Sequence, residues 1–100
     1  MTSELIVNSE PVEIKDFIQE IFAGVVSGFL KKLKKVPSPI KEIHVSLTAD
    51  SEQILVNSTK VPLNPYVKKL TRALLNGLLD SLDKIPPKRE LITLNVEITE

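Results

Sequence analysis

The sequence predicts an α+β fold made of two successive strand–helix–strand units, with four strands in one antiparallel sheet and both helices on one of its faces. Three observations lead there. The stretch Leu5-Ile6-Val7-Asn8-Ser9 returns as Ile54-Leu55-Val56-Asn57-Ser58. A gapless alignment of residues 5–37 with 54–86 then holds nine identities, Gly28/Gly77, Leu30/Leu79 and Pro37/Pro86 among them. Each unit ends on an alternating apolar and polar segment, Ile43 to Thr48 in the first and Ile92 to Thr99 in the second. The pattern reads as an internal duplication within a single domain over residues 1–100, the repeats covering about 4–48 and 53–99.

Leu5 to Val7 is apolar at every position, and Asn8-Ser9-Glu10-Pro11 ends the run in a turn, as expected of a short strand buried on both faces. Between Asp16 and Lys35 the apolar residues fall at Phe17, Ile18, Ile21, Phe22, Val25, Val26, Phe29, Leu30 and Leu33. At about 100° per residue they cover an arc of roughly 220°, wider than one buried stripe needs. This predicts a helix that packs on more than one neighbour. Asp16 with Gln19 favours its start, and Val36-Pro37-Ser38-Pro39 enforces its stop.

Ile43, Val45 and Leu47 alternate with Glu42, His44, Ser46 and Thr48, the pattern of a half-buried strand. The connection from Thr48 to Gln53 is long enough for a hairpin and too short for a parallel crossover. Ile54 to Val56 begins the second unit. Asn64-Pro65 supplies an N-cap and a first-turn proline for a helix with Tyr66, Val67, Leu70, Leu74, Leu75, Leu78, Leu79 and Leu82 on its apolar arc. Ile92, Leu94, Val96 and Ile98 then alternate with Thr93, Asn95, Glu97 and Thr99.

This order resembles the ferredoxin-like βαββαβ sandwich, whose four strands lie in the order 4-1-3-2. The first and third strands, apolar on both faces, are expected in the centre, and the strictly alternating second and fourth at the edges. In the alternative arrangement each repeat is hairpin, helix, strand, with short extra strands at Val12 to Ile14 and Val61 to Leu63. Pro62 confines the second of these to an edge. Gly28 and Gly77 are expected where the two helices approach closely.

A chain of 100 residues with 42% hydrophobic composition can build a core without cross-links. Cysteine is absent, which removes disulfides and thiolate chemistry and fits a reducing compartment. The first residues lack the basic flank and apolar run of a signal peptide, and the longest nearly uncharged run, Ile21 to Leu30, is about half a bilayer crossing. A soluble cytoplasmic protein is expected.

Thirteen basic and thirteen acidic residues cancel, so placement carries the information. With antiparallel helices, Lys31, Lys32, Lys34 and Lys35 share one end of the molecule with Lys68, Lys69 and Arg72. Glu10, Glu13, Asp16, Glu20, Asp80 and Asp83 gather at the other. Two readings follow. Lys31, Lys34, Lys35, Lys68, Lys69 and Arg72 form a basic end for an anion or nucleic acid, or pairing between chains matches each cluster with its opposite, as parallel packing of the first helix on another chain's second helix does.

Chemistry-bearing motifs are sparse. His44 is the only histidine and lies on the polar side of its strand with Ser46, Thr48, Thr93, Asn95 and Glu97 nearby, so an exposed spectator is expected. There is no phosphate loop, nucleophile elbow or paired metal-ligand motif, and catalytic residues, cofactor and metal are expected to be none. The central strands hold no aromatics on which to stack bases, which weakens the nucleic-acid reading. The lysine-rich end of the first helix resembles a membrane-surface helix, but its counterpart is acidic, so membrane binding is not expected. Ile6 and Leu55 break the alternation of their strands and should point away from the helices as an apolar patch, with the wide helix arcs offering a second. The expected function is a small non-enzymatic interaction or assembly module that self-associates as a homodimer, with anion or nucleic-acid binding at the basic end as the alternative.

Overall fold

The computed structural model describes residues 2–83 and 85–98; Lys84 and Thr99, which the sequence pattern placed at a helix end and a strand end, lie outside them. The chain forms β1 (Thr2–Val7), β2 (Glu10–Val12), α1 (Asp16–Leu30), β3 (Glu42–Thr48), β4 (Glu52–Val56), β5 (Thr59–Lys60), α2 (Pro65–Asp80) and β6 (Leu91–Glu97). The architecture is α+β, with two helices and one six-stranded sheet in the order β2-β1-β6-β3-β4-β5, every neighbouring pair antiparallel.

Two expectations are corrected here. The sheet has six strands rather than four, because the Asn-Ser turns double the chain back into the short strands β2 and β5, so each half reads hairpin, helix, strand. The strands expected at the edges, β3 and β6, are instead the central pair, joined from Glu42↔Glu97 to Thr48↔Leu91. Alternation misled because helices cover one face of the sheet only. A central strand of such a sheet alternates as cleanly as an edge strand does.

Core side chains line the covered face in rows across the strands. Leu5, Leu94, Val45 and Ile54 form the middle row, with Val12 continuing it beyond Leu5. Val7, Ile92 and Leu47 lie to one side of it, and Val96, Ile43 and Val56 to the other. Phe22, Ala23, Val26 and Leu30 of α1 and Leu75 and Leu79 of α2 close over these rows, all at most 3% exposed. Val45 faces Leu94, the residue 49 positions later, so a twofold relation between the halves passes between these two side chains. Under it the helices run in opposite senses across the sheet. α1 starts against Ser3 of β1, and by Ser27 and Lys31 it reaches Ile40 and Ile98 beside the central strands. α2 is tied to the β3–β4 turn through Arg72, and by Asn76 and Asp80 it reaches Arg89, just before β6.

Helix α1 ends at Leu30, five residues short of the expected Lys35. Lys32 N–H and Leu33 N–H turn back to the carbonyls of Phe29 and Leu30, and Lys35 takes φ 62°, so the lysines form a terminal turn. Helix α2 begins as expected, with Asn64 Oδ1 accepting from Val67 N–H at 2.8 Å and Pro65 at its first position.

The turn residues explain their own recurrence. Asn8 and Ser9 have φ 51° and 68°, and Asn57 and Ser58 have φ 51° and 66°, the doubly left-handed geometry of a two-residue hairpin. The asparagines also hold the other half of the chain. Asn8 Oδ1 accepts from Glu90 N–H (2.7 Å) and Leu91 N–H (3.2 Å), while its amide donates to the Lys88 carbonyl (2.9 Å). Asn57 makes the matching set with Lys41 N–H (2.8 Å), Glu42 N–H (3.0 Å) and the Pro39 carbonyl (2.9 Å). Each turn therefore clasps the entry to a central strand that belongs to the opposite half.

Asn8→Ala and Asn57→Ala are each expected to lower stability by about 1–3 kcal/mol in urea denaturation, since backbone donors lose their acceptor and alanine lacks the short polar side chain that lets asparagine adopt the left-handed region. Ser9→Gly and Ser58→Gly are expected to raise it by about 1 kcal/mol, because glycine adopts these angles without strain.

Candidate functional site

Among the described residues, the five exposed large hydrophobic side chains lie on the two helices: Phe17 (62% exposed), Ile21, Val25, Tyr66 (70%) and Leu70. Helical spacing puts Phe17, Ile21, Gly24 and Gly28 on one stripe, opposite the buried Phe22, Val26 and Leu30. Tyr66, Leu70, Ala73 and Gly77 repeat that stripe on α2, opposite Thr71, Leu75 and Leu79. The wide apolar arcs thus do not serve further neighbours within the chain. Their surplus faces outward from the helix layer, directly away from the sheet.

The glycines belong to this outer surface. A Cβ built at Gly24, Gly28 or Gly77 meets nothing within 4 Å, so close packing of α1 on α2, the reason expected for Gly28 and Gly77, is not what they serve. They flatten the outward stripe and leave helical backbone open to approach.

The opposite face of the sheet is mostly polar. Ile6 and Leu55 do point away from the helices and are half-buried, but they are not neighbours. The row from Ile6 runs through Thr93 and Ser46 to Gln53, and the row from Leu55 runs through His44 and Asn95 to Glu4. Because β6 and β3 intervene between β1 and β4, a polar belt divides the patch expected from these two residues.

His44 is half-buried rather than an exposed spectator. The Asn95 side-chain oxygen can only accept, so His44 Nδ1 carries the proton and donates to it at 2.5 Å. The Asn95 amide in turn donates to Glu4 Oε1 at 3.2 Å. A shallow hollow of about 250 Å³ opens beside this row, lined by Glu42, His44, Leu55, Ser58, Asn95 and Glu97. No cluster of three or more histidine or carboxylate side chains suited to a metal occurs among the described residues.

The helix ends carry the charges. Asp83 shares a hollow with Glu10 and Glu13, which gathers acidic groups beside the β1–β2 hairpin. The opposed run of the helices leaves Lys31, Lys34 and Lys35, after α1, on the other side of the molecule with Lys68 and Lys69 of α2. Among the described residues these five lysines make no ion pair. Arg72 does not join them. Its Nε donates to Glu52 Oε2 at 2.9 Å and its Nη2 to the Thr48 carbonyl at 2.7 Å, so its guanidinium fastens α2 to the β3–β4 turn. Ser3 plays the matching part for α1, donating through Oγ to the Gln19 carbonyl at 2.8 Å and through its N–H to Gln19 Oε1 at 3.1 Å.

A second difference between the halves shapes the surface. Arg89 folds over the end of α2, its Nη2 donating to Asp80 Oδ1 at 2.7 Å and its Nη1 to Asn76 Oδ1 at 3.0 Å. The corresponding residue in the first half is Ile40, which reaches no such partner. A hollow of about 440 Å³ remains there between Ser27, Lys31, Leu33, Val36, Ile40 and Ile98.

Comparison with protein-family models, with curated proteins and with solved structures finds no match for this chain. Among the described residues, no helix is long and apolar enough to cross a membrane.

Arg72→Leu is expected to lower stability by about 1–3 kcal/mol, because it removes the guanidinium donors of the Glu52 carboxylate and the Thr48 carbonyl. Lys68→Ala and Lys69→Ala, at exposed positions, are expected to stay within about 0.5 kcal/mol of the parent. Urea titrations of the three variants make this comparison.

Proposed function

We propose that this protein is a non-enzymatic assembly module that associates with a second copy of itself through the outer face of its helix layer. The observation that carries this reading is that, among the described residues, the five exposed large hydrophobics lie on that face. Scattered exposed apolar residues are ordinary on a soluble protein, but an apolar stripe repeated on both helices is the usual mark of a covered surface. Phe17 and Tyr66 supply exposed aromatic area in the first turn of each helix, and Ile21, Val25 and Leu70 with small residues carry each stripe on between charged groups at the helix ends, which suits an apolar contact with a polar rim.

Anion or nucleic-acid binding at the basic end has less in its favour. Arg72 is held by Glu52, and the first turn of α2 is already capped by Asn64. The cysteine-free composition suits a cytoplasmic setting, and the shared order of elements and the paired asparagine clasps favour an origin by tandem duplication.

Sedimentation equilibrium at micromolar concentration is expected to give a dimer. Phe17→Ser combined with Tyr66→Ser is expected to give a monomer with an unchanged far-ultraviolet circular dichroism spectrum, since burying each ring contributes about 1.5–3 kcal/mol. A parent chain that is monomeric there, or a double variant that stays dimeric, contradicts the reading. Salt-sensitive retention of single-stranded nucleic acid by a monomeric chain would favour the basic-end alternative.

A further inference from the structure

The charges flanking the outer stripes select how two copies meet. Resting on the self-association reading above, we infer that two chains stack helix layer on helix layer about a twofold axis lying in the plane of those layers. Each α1 then packs antiparallel on the partner's α1, and each α2 antiparallel on the partner's α2.

The two ends of the helix layer carry opposite charges. Asp16 and Glu20 lie at the beginning of α1, and Lys31 and Lys35 at and beyond its end. Lys68 and Lys69 lie at the beginning of α2, and Asp80 and Asp83 at and beyond its end. Since the helices run in opposite senses, one side of the layer is acidic and the other basic. Face-to-face stacking with the helices of the two copies aligned can then close in two ways. Placing α1 over the partner's α2 sets basic side on basic side and acidic on acidic. Placing α1 over the partner's α1 sets each basic side on an acidic one. Parallel stacking of α1 on the partner's α2 also matches charges on paper, but bringing about both such pairs together requires inversion, which no rotation of a chiral chain supplies.

Residue numbers reinforce the choice. In an antiparallel α1 pair, placing Glu20 opposite Lys31 centres the contact between Val25 and Val26. Gly24 and Gly28 straddle that centre on the outward stripe, both with open space at the Cβ position. Small residues at a crossing let two helix axes approach toward the short end of the usual 8–10 Å range, about where glycine contacts place them. On α2, Lys69 opposite Asp80 centres between Leu74 and Leu75, the positions 49 residues later. Asp80 already receives Arg89, so the α1 pairs carry the stronger discrimination.

The test is a charge exchange within one chain, read as the dimer dissociation constant by sedimentation equilibrium. Glu20→Lys and Lys31→Glu are each expected to weaken the dimer about tenfold, because each change acts twice across the twofold. Glu20→Lys with Lys31→Glu in the same chain is expected to return within about threefold of the parent, as opposite charges face each other again. Gly24→Cys, the only thiol in its chain, is expected to form a disulfide-linked dimer on mild oxidation, whereas Thr93→Cys on the polar sheet face is not. A parent dimer indifferent to the single charge reversals, or cross-linked through Thr93→Cys and not Gly24→Cys, overturns this arrangement while leaving self-association standing. A monomeric parent removes both.

Discussion

The antiparallel pairing of β3 with β6 is the contact on which the rest of the molecule depends, because neither half can complete a sheet without it. Within the first half, β1 and β2 form a hairpin, but β3 has no neighbour from its own half. Its partners are β4 and β6, both from the second half, and β6 in turn lies between β1 and β3. The core rows that α1 and α2 cover exist only once these strands interleave. Asn8 and Asn57 act at the same junction, each gripping the backbone where the opposite half's central strand begins. Helix placement, the hollows beside the helix ends and the outward stripes all follow from that exchange.

A layered structure of this kind leaves two exposed surfaces, and the chain treats them differently. The sheet's free face is lined by hydrogen-bonded polar groups, with the His44, Asn95 and Glu4 row crossing three strands. The helices' free face is apolar and flattened by glycines that each cost about 0.5–1 kcal/mol relative to alanine inside a helix. Local propensity argues against glycines there, and with Phe17, Ile21, Tyr66 and Leu70 they give the outward face open backbone beside exposed apolar side chains. Where the halves diverge, the divergence has local consequences. Arg72 and Glu52 bind α2 to the sheet where α1 uses Ser3 and Gln19, and Arg89 fills the place that Ile40 leaves open.

Much of this was legible in the residues, and the failures have physical causes. The helix starts, the buried and exposed sides of β3 and β6 and the Asn-Ser turns could be read because each rests on a short-range rule. Strand order could not. Ile6 and Leu55 made β1 and β4 look buried on both faces, yet they are half-exposed residues at either side of a polar belt. Periodicity reports which face of a strand is covered, and long-range pairing decides where the strand sits. The helix arcs already held the residues that face outward, since Phe17, Ile21, Tyr66 and Leu70 all fall within them. A sequence cannot say whether an apolar side chain meets its own sheet or another molecule, and the fold is needed to turn those residues outward. The basic cluster was similarly visible, but only the fold assigns Arg72 to Glu52.

The claim that the outer helix face is the contact surface is tested most directly by following side-chain NMR signals of the isotopically labelled chain through a dilution series. The account predicts that Phe17, Ile21, Tyr66 and Leu70 shift together along one monomer–dimer curve, while Ile6, Leu55 and Thr93 stay constant. Concentration-dependent shifts confined to Ile6, Leu55 and Thr93, or none anywhere up to the highest soluble concentration, would contradict it.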